Sequence, residues 1–163
     1  MSGVRDLQLA PAQQDLKAAS KALVRAYGGQ EAAAELLGKA QSRYSDAGSP
    51  HTPTFLTICE VAELEDRTSG AACHPIVTRE LARRQGFELV ARPRALPAPE
   101  SLIACVGDLL KEGGDVMGAV AEALKDGRWN RQEARTAIEQ TDDLIAVAVT
   151  LRAALTAIET GDA

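Results

Sequence analysis

The sequence predicts an all-α fold in two parts: a compact N-terminal group of short helices and a C-terminal long helical hairpin. Three observations predict it. The chain of 163 residues is 45% hydrophobic but only 3% aromatic, alanine-rich and poor in β-branched runs, which favours helix. Residues 30–47, QEAAAELLGKAQSRYSDA, read as a short helix, a glycine turn and a second short helix. The last thirty or so residues carry one apolar stripe at helical spacing.

Residues 11–27 come first. Pro11 suits a first helical turn, where its missing N–H costs nothing. Leu16, Ala19, Leu23 and Tyr27, with Val24 beside them, form a stripe that ends at Gly28-Gly29. Residues 1–10 read as a frayed leader. In the next unit, Ala33, Leu36 and Leu37 share one face, and Ala34 stands four residues before Gly38. Glycine there supplies a left-handed turn. The helix that follows, Gln41-Ser42-Arg43-Tyr44-Ser45-Asp46, is polar almost all round. A short mid-domain helix with that surface needs a partner other than a core, and double-stranded DNA is the partner its chemistry suggests.

Residues 48–53, GSPHTP, are turn-rich. Thr52 or Thr54 is expected to cap the next helix, whose inward side would be Phe55, Ile58, Val61, Ala62 and Leu64 or Glu65, to about Asp66. Cys59 is expected to be a buried small residue. His74-Pro75 opens a further helix over residues 76–84, with Ile76, Val77 and Leu81 apolar and Arg79, Arg83 and Arg84 making its end basic. Residues 87–90 alternate weakly and suggest a short extended piece docked on the first domain.

Residues 92–99, RPRALPAP, carry three prolines and mark a semi-rigid linker. The expected domains are therefore 11–91, for DNA binding, and 100–159, for oligomerisation. In the latter, Leu102, Ile103, Val106, Leu109 and Leu110 open a stripe that Val116, Met117, Val120 and Leu124 continue. Gly113-Gly114 is expected to break or kink that helix. Asp126-Gly127-Arg128 reads as a turn, with Trp129 packed at the hairpin end. Asn130 and Glu133 have capping-box spacing, and a helix of nearly thirty residues follows. A stripe that long needs covering along its whole length, which implies self-association as a dimer or tetramer.

Charge and cysteine content narrow the class. The net charge of −5 excludes a general polyanion binder, but residues 1–46 carry six Lys/Arg against five Asp/Glu while the remainder is net −6. That sign fits an N-terminal DNA reader, since local charge governs the contact. Cys59, Cys73 and Cys105 are widely spaced and form no C-x-x-C pair, so neither a disulfide framework nor a zinc site is expected. His51 and His74 have no second ligand at metal spacing. No paired carboxylate, nucleophile–base set or phosphate-cradling loop is present, so neither an enzyme nor a cofactor is expected. With no signal peptide or membrane span in the sequence, a cytoplasmic, nucleoid-associated bacterial or phage protein is expected.

The residues Gln30, Ala34, Gly38, Gln41 and Ser42 resemble the helix-turn-helix of temperate-phage repressors, which opens with glutamine, carries Ala and Gly at its fifth and ninth positions, and starts its recognition helix with Gln-Ser. The order of elements over residues 17–158 is similar to that of CII-type regulatory proteins of temperate phages. That resemblance implies a sequence-specific transcriptional regulator of phage or prophage genes that binds promoter DNA as a homo-oligomer. RNA polymerase is a further candidate partner. One departure stands out: Ala47-Gly48-Ser49-Pro50 cuts the second helix short, leaving Tyr44 and Ala47 to tie it down.

On this reading Gln41 offers its amide bidentately to adenine, and Ser42 and Arg43 reach neighbouring base edges, Arg43 preferring guanine. By the resemblance, Gln30 bonds a phosphate and braces Gln41. Lys39 and Ser45 are phosphate contacts, which position rather than read. The alternative is a helical interaction module, an anti-repressor or polymerase adaptor, that does not itself touch DNA.

Overall fold

The structure is a computed structural model that describes residues 9–71, 73–125 and 127–161. The described residues are all-helical: α1 Pro11–Tyr27, α2 Gln30–Leu37, α3 Gln41–Ala47, α4 Ile58–Asp66, α5 Ile76–Arg84, α6 Leu102–Ala123 and α7 Arg131–Thr160, with a single 3-10 turn at Pro99–Ser101. Contacts divide the chain into two compact units that meet between Leu89 and Val90. Of the expected leader, residues 1–8 lie outside the described residues, as does Asp126 of the expected turn; Leu9 is buried and Ala10 is the N-cap of α1, so these two belong to the fold rather than to a frayed leader.

In the first unit, α1 is the support against which α2, α3, α4 and α5 all pack. Pro11 starts it and Gly28-Gly29, both at positive φ (126° and 102°), end it. Leu23, Val24, Ala33, Tyr44, Leu64 and Val77 form the core, flanked by Ala19, Tyr27, Leu36, Leu37, Leu56 and Val61. The buried side of α1 includes Lys17 and Ser20 beside Leu23 and Val24, so a charged residue sits where the apolar stripe alone would place Leu16. Leu16 itself is half-buried.

Three expectations fail between α3 and the end of the unit. First, α4 begins at Ile58 and is capped by Thr57, not by Thr52 or Thr54. Thr57 and Glu60 exchange bonds in a capping box: the Thr57 amide donates to Glu60 Oε2 at 2.7 Å and the Glu60 amide to Thr57 Oγ1 at 3.3 Å. Phe55 and Leu56 therefore precede the helix. Secondly, the shifted start turns Ile58 outward, 88% exposed, and Cys59 is exposed with it. Leu64 and Val61 still face the core. Thirdly, Phe87, Leu89 and Val90 are exposed and pair with no strand.

α5 has Pro75 at its N-cap, which offers no side-chain cap. Glu65 of α4 supplies one. Its buried carboxylate accepts the Val77 and Thr78 amides at 2.7 and 3.1 Å, and the Thr78 hydroxyl at 2.5 Å. An anion at a helix N-terminus both satisfies unbonded amides and meets the positive end of the dipole.

The second unit is a hairpin of α6 on α7. Gly113-Gly114 does not break α6, which is helical throughout. A glycine costs about 1 kcal/mol in a helix interior, and packing on α7 overrides it. Asn130 caps α7 by accepting the Gln132 and Glu133 amides at 2.9 and 3.0 Å, while Glu133 returns a bond to the Asn130 amide at 2.8 Å. Trp129, half-exposed, lines a hollow of about 310 Å³ at the hairpin end with Ala134, Ala137 and Ile138.

Candidate nucleic-acid interface

α2 and α3 meet through Gly38, which adopts φ 62°, ψ 34°. The Lys39 amide reaches back to the Ala34 carbonyl at 3.1 Å, the bond that closes a Schellman ending. The glycine is needed because an L side chain is strained in that region. α3 then runs for seven residues and buries only Tyr44 and Ala47. Gln41, Ser42 and Ser45 are exposed.

Two buried charges hold this short helix. Lys17 of α1 donates Nζ to the Asp46 carbonyl at 2.9 Å, to Thr52 Oγ1 at 3.3 Å and to the Thr54 carbonyl. It also lies 4.4 Å from the centre of the Phe55 ring. Burial lowers the Lys17 pKa, and the Asp46 carboxylate pulls the other way. One ammonium thus pins the end of α3 and the loop after it to α1.

The second charge is Glu60. Arg43 forks onto it, Nε to Oε1 at 2.6 Å and a terminal nitrogen to Oε2 at 2.7 Å. The same guanidinium bonds the Phe55 carbonyl at 3.4 Å, and Lys39 Nζ stands 3.3 Å from Glu60 Oε1. The Arg43 bonds, with those from Thr57 and Lys39, hold the Glu60 pKa at about 2 against the desolvation that would raise it. Tyr44 packs beside this network with its hydroxyl buried.

The structure sorts the sequence-derived residues into two groups. Gln30, Gln41 and Ser45 line one open cleft of about 650 Å³, together with Lys21 and Arg25 of α1. Lys39 and Arg43 do not line it; both lean on Glu60. Ser42 is exposed and lines neither feature. Sequence reasoning missed Lys21 and Arg25. Their signal is a basic pair at four-residue spacing, off the apolar stripe of α1. Missed as well were Lys17 and Glu60, whose partners lie as far as 37 and 17 residues away in sequence.

Among the described residues no group of three His, Cys, Asp or Glu could hold a metal ion, and no helix is long and apolar enough to cross a membrane. Fold and surface together describe a small all-α protein with a short polar helix presented beside a basic-edged cleft. The family model for phage regulatory protein CII (CP76) matches residues 14–158, and the chain belongs to that family. It is a phage-type transcriptional regulator. Comparison with curated proteins gave no match.

Proposed function

We propose that the chain binds promoter DNA sequence-specifically as a homo-oligomer, with α2 and α3 forming a helix-turn-helix and α3 entering the major groove. The observation that carries this reading is the one-sided burial of α3. Tyr44 and Ala47 anchor it, and Gln41, Ser42 and Ser45 face outward, beside a cleft edged by Lys21 and Arg25.

In this proposal Gln41 reads adenine through its amide, and Ser42 reaches a neighbouring base edge. Gln30, at the start of α2, and Ser45 bond phosphate, joined by Lys21, Arg25 and Lys39. Arg43 reaches a guanine only by giving up both bonds to Glu60, so we assign it to fixing the angle of α3. One module makes few contacts, and joining two or more copies through residues 100–159 multiplies them. Residues 92–99 act as the linker between the two domains.

The test is binding of the full chain to duplexes selected from a random-sequence pool, followed across salt concentration. Phosphate contacts give a log–log slope of about −0.9 per contact, and the selected duplexes should share a motif. No enrichment, with no salt-dependent shift, would leave the interaction-module reading standing. Exposed Ile58 and Phe87 on the same unit favour that second reading, with RNA polymerase as a candidate partner.

A further inference from the structure

α6 is apolar over more of its surface than α7 covers. Ile103, Leu110, Met117 and Leu124 recur at intervals of seven residues and are exposed by 86, 74, 73 and 53% for Ile103, Met117, Leu110 and Leu124 respectively. Each follows by one position a residue that faces inward, half-buried in Leu102, Leu109 and Val116 and buried in Ala123. α7 repeats the arrangement: exposed Ile138 and Ile145 follow half-buried Ala137 and Leu144, with Leu155 exposed further along.

One residue onward is a turn of about 100° in a fixed sense. In an antiparallel pair, equal rotation in the same sense carries both exposed stripes to one side of the hairpin. The hollow lined by Trp129, Ala137 and Ile138 opens at the end of this side. Arg92, Pro93 and Leu96 line a separate hollow with Val149, Ala153 and Thr156 of α7.

We infer that this side is the seam against a second copy of the chain, hairpin on hairpin, giving a four-helix bundle. The inference rests on the self-association already proposed and assigns its surface. Seven-residue spacing is what a partner helix requires to keep one stripe in contact over several turns. The 22 residues of α6 extend about 33 Å, and two adjacent helices present a face about 20 Å wide. That footprint, about 650 Å², is close to the roughly 800 Å² per partner of a stable interface.

The chemistry of the face selects the occupant. On α6, positions 103, 107, 110, 114, 117, 121 and 124 hold no charged residue, and on α7 positions 138, 142, 145, 149 and 152 hold only Asp142 and Arg152, one of each sign, so an acidic peptide or a nucleic acid finds no net counter-charge there. Gly107 and Gly114 flank the stripe, and a Cβ built on either meets no atom within 4 Å.

Sedimentation equilibrium of the full chain, without DNA, tests the seam. The wild type should sediment at no less than twice its chain mass of 17.2 kDa. The double variant L110E/M117E should fall to the chain mass with unchanged far-UV circular dichroism, and Trp129 fluorescence should shift with it. Lys111→Ala, on the charged side of α6 beside Asp115, should keep the wild-type mass. A monomeric wild type, a double variant at wild-type mass, or one that loses its helicity would each overturn the inference. Because no DNA is present, a failure of the seam is distinguishable from a failure of groove reading by α3.

Discussion

The two units are held together by different kinds of interaction. In the α1–α5 unit, Lys17, Glu60 and Glu65 are buried, and each is shared between two or more elements. In the α6–α7 hairpin the ion pairs, such as Lys111 with Asp115 and Lys125 with Glu122, are exposed and link residues of one helix or its end. The hairpin also leaves Ile103, Leu110 and Met117 largely in solvent. The first unit pairs its buried Lys17, Glu60 and Glu65 internally and encloses its own core. The second has apolar surface left over. On the proposed reading, a domain that holds a seven-residue helix at a fixed angle needs directional bonds, whereas a domain that joins copies needs a broad apolar face at regular helical spacing.

This contrast can be broken by substitution. The largest effect should come from Glu65→Ala, which leaves the Val77 and Thr78 amides without their acceptor. Buried groups left unbonded cost about 1–3 kcal/mol each, so a loss of about 3 kcal/mol should appear as a lowered urea midpoint with an unchanged slope. Lys111→Ala should leave the midpoint where it is, because exposed pairs are screened and contribute little. Equal losses from both would erase the distinction between the units.

Acid should separate them next. The Glu60 carboxylate lies at about 2 in the folded protein against an ordinary 4.5, and its side chain is 3% exposed. A depressed folded pKa means stability that is present above pH 4.5 and lost as pH falls toward 2. The difference is worth about 3 kcal/mol. Glu60→Gln should flatten that acid limb of the stability curve and lower stability at neutral pH. An unchanged acid limb in the variant would remove Glu60 as the brace of α3. The smallest effect should be on binding. Arg43→Lys keeps the charge but loses the two-pronged fork. It should reduce discrimination between selected and scrambled duplexes by less than the roughly 1–3 kcal/mol expected for loss of a base-reading amide.

The same contrast explains what the sequence made legible. Helix limits set by local signals were readable: Pro11 and Gly28-Gly29 bound α1, Gly38 separates α2 from α3, and Asn130 with Glu133 starts α7. Thr57 was obscured by Thr52 and Thr54 nearby, although Thr57-x-x-Glu60 is itself a capping-box spacing. That shift of three residues sent Ile58 and Cys59 to the surface. The bonds of Lys17, Glu60 and Glu65 were not readable, because their partners come from other elements and no local periodicity marks them. In α6 the difficulty was the reverse. Leu109 and Leu110 are equally apolar, so the pattern alone does not say which of them turns toward α7. The placement of Gln30 and Gln41 at the starts of α2 and α3 was legible from their offsets to Gly38, whereas the tie of Arg43 to Glu60 needed the fold.

The central claim is that α3 fits a nucleic-acid groove through Gln41, while the bonds of Lys17 and Glu60 hold it there. The most direct measurement compares wild type and Gln41→Ala on a selected duplex and on its scrambled counterpart at one salt concentration. The account predicts that the wild type prefers the selected duplex, that Gln41→Ala loses about 1–3 kcal/mol of that preference, and that affinity for the scrambled duplex is unchanged. Equal affinity of both proteins for both duplexes would contradict it.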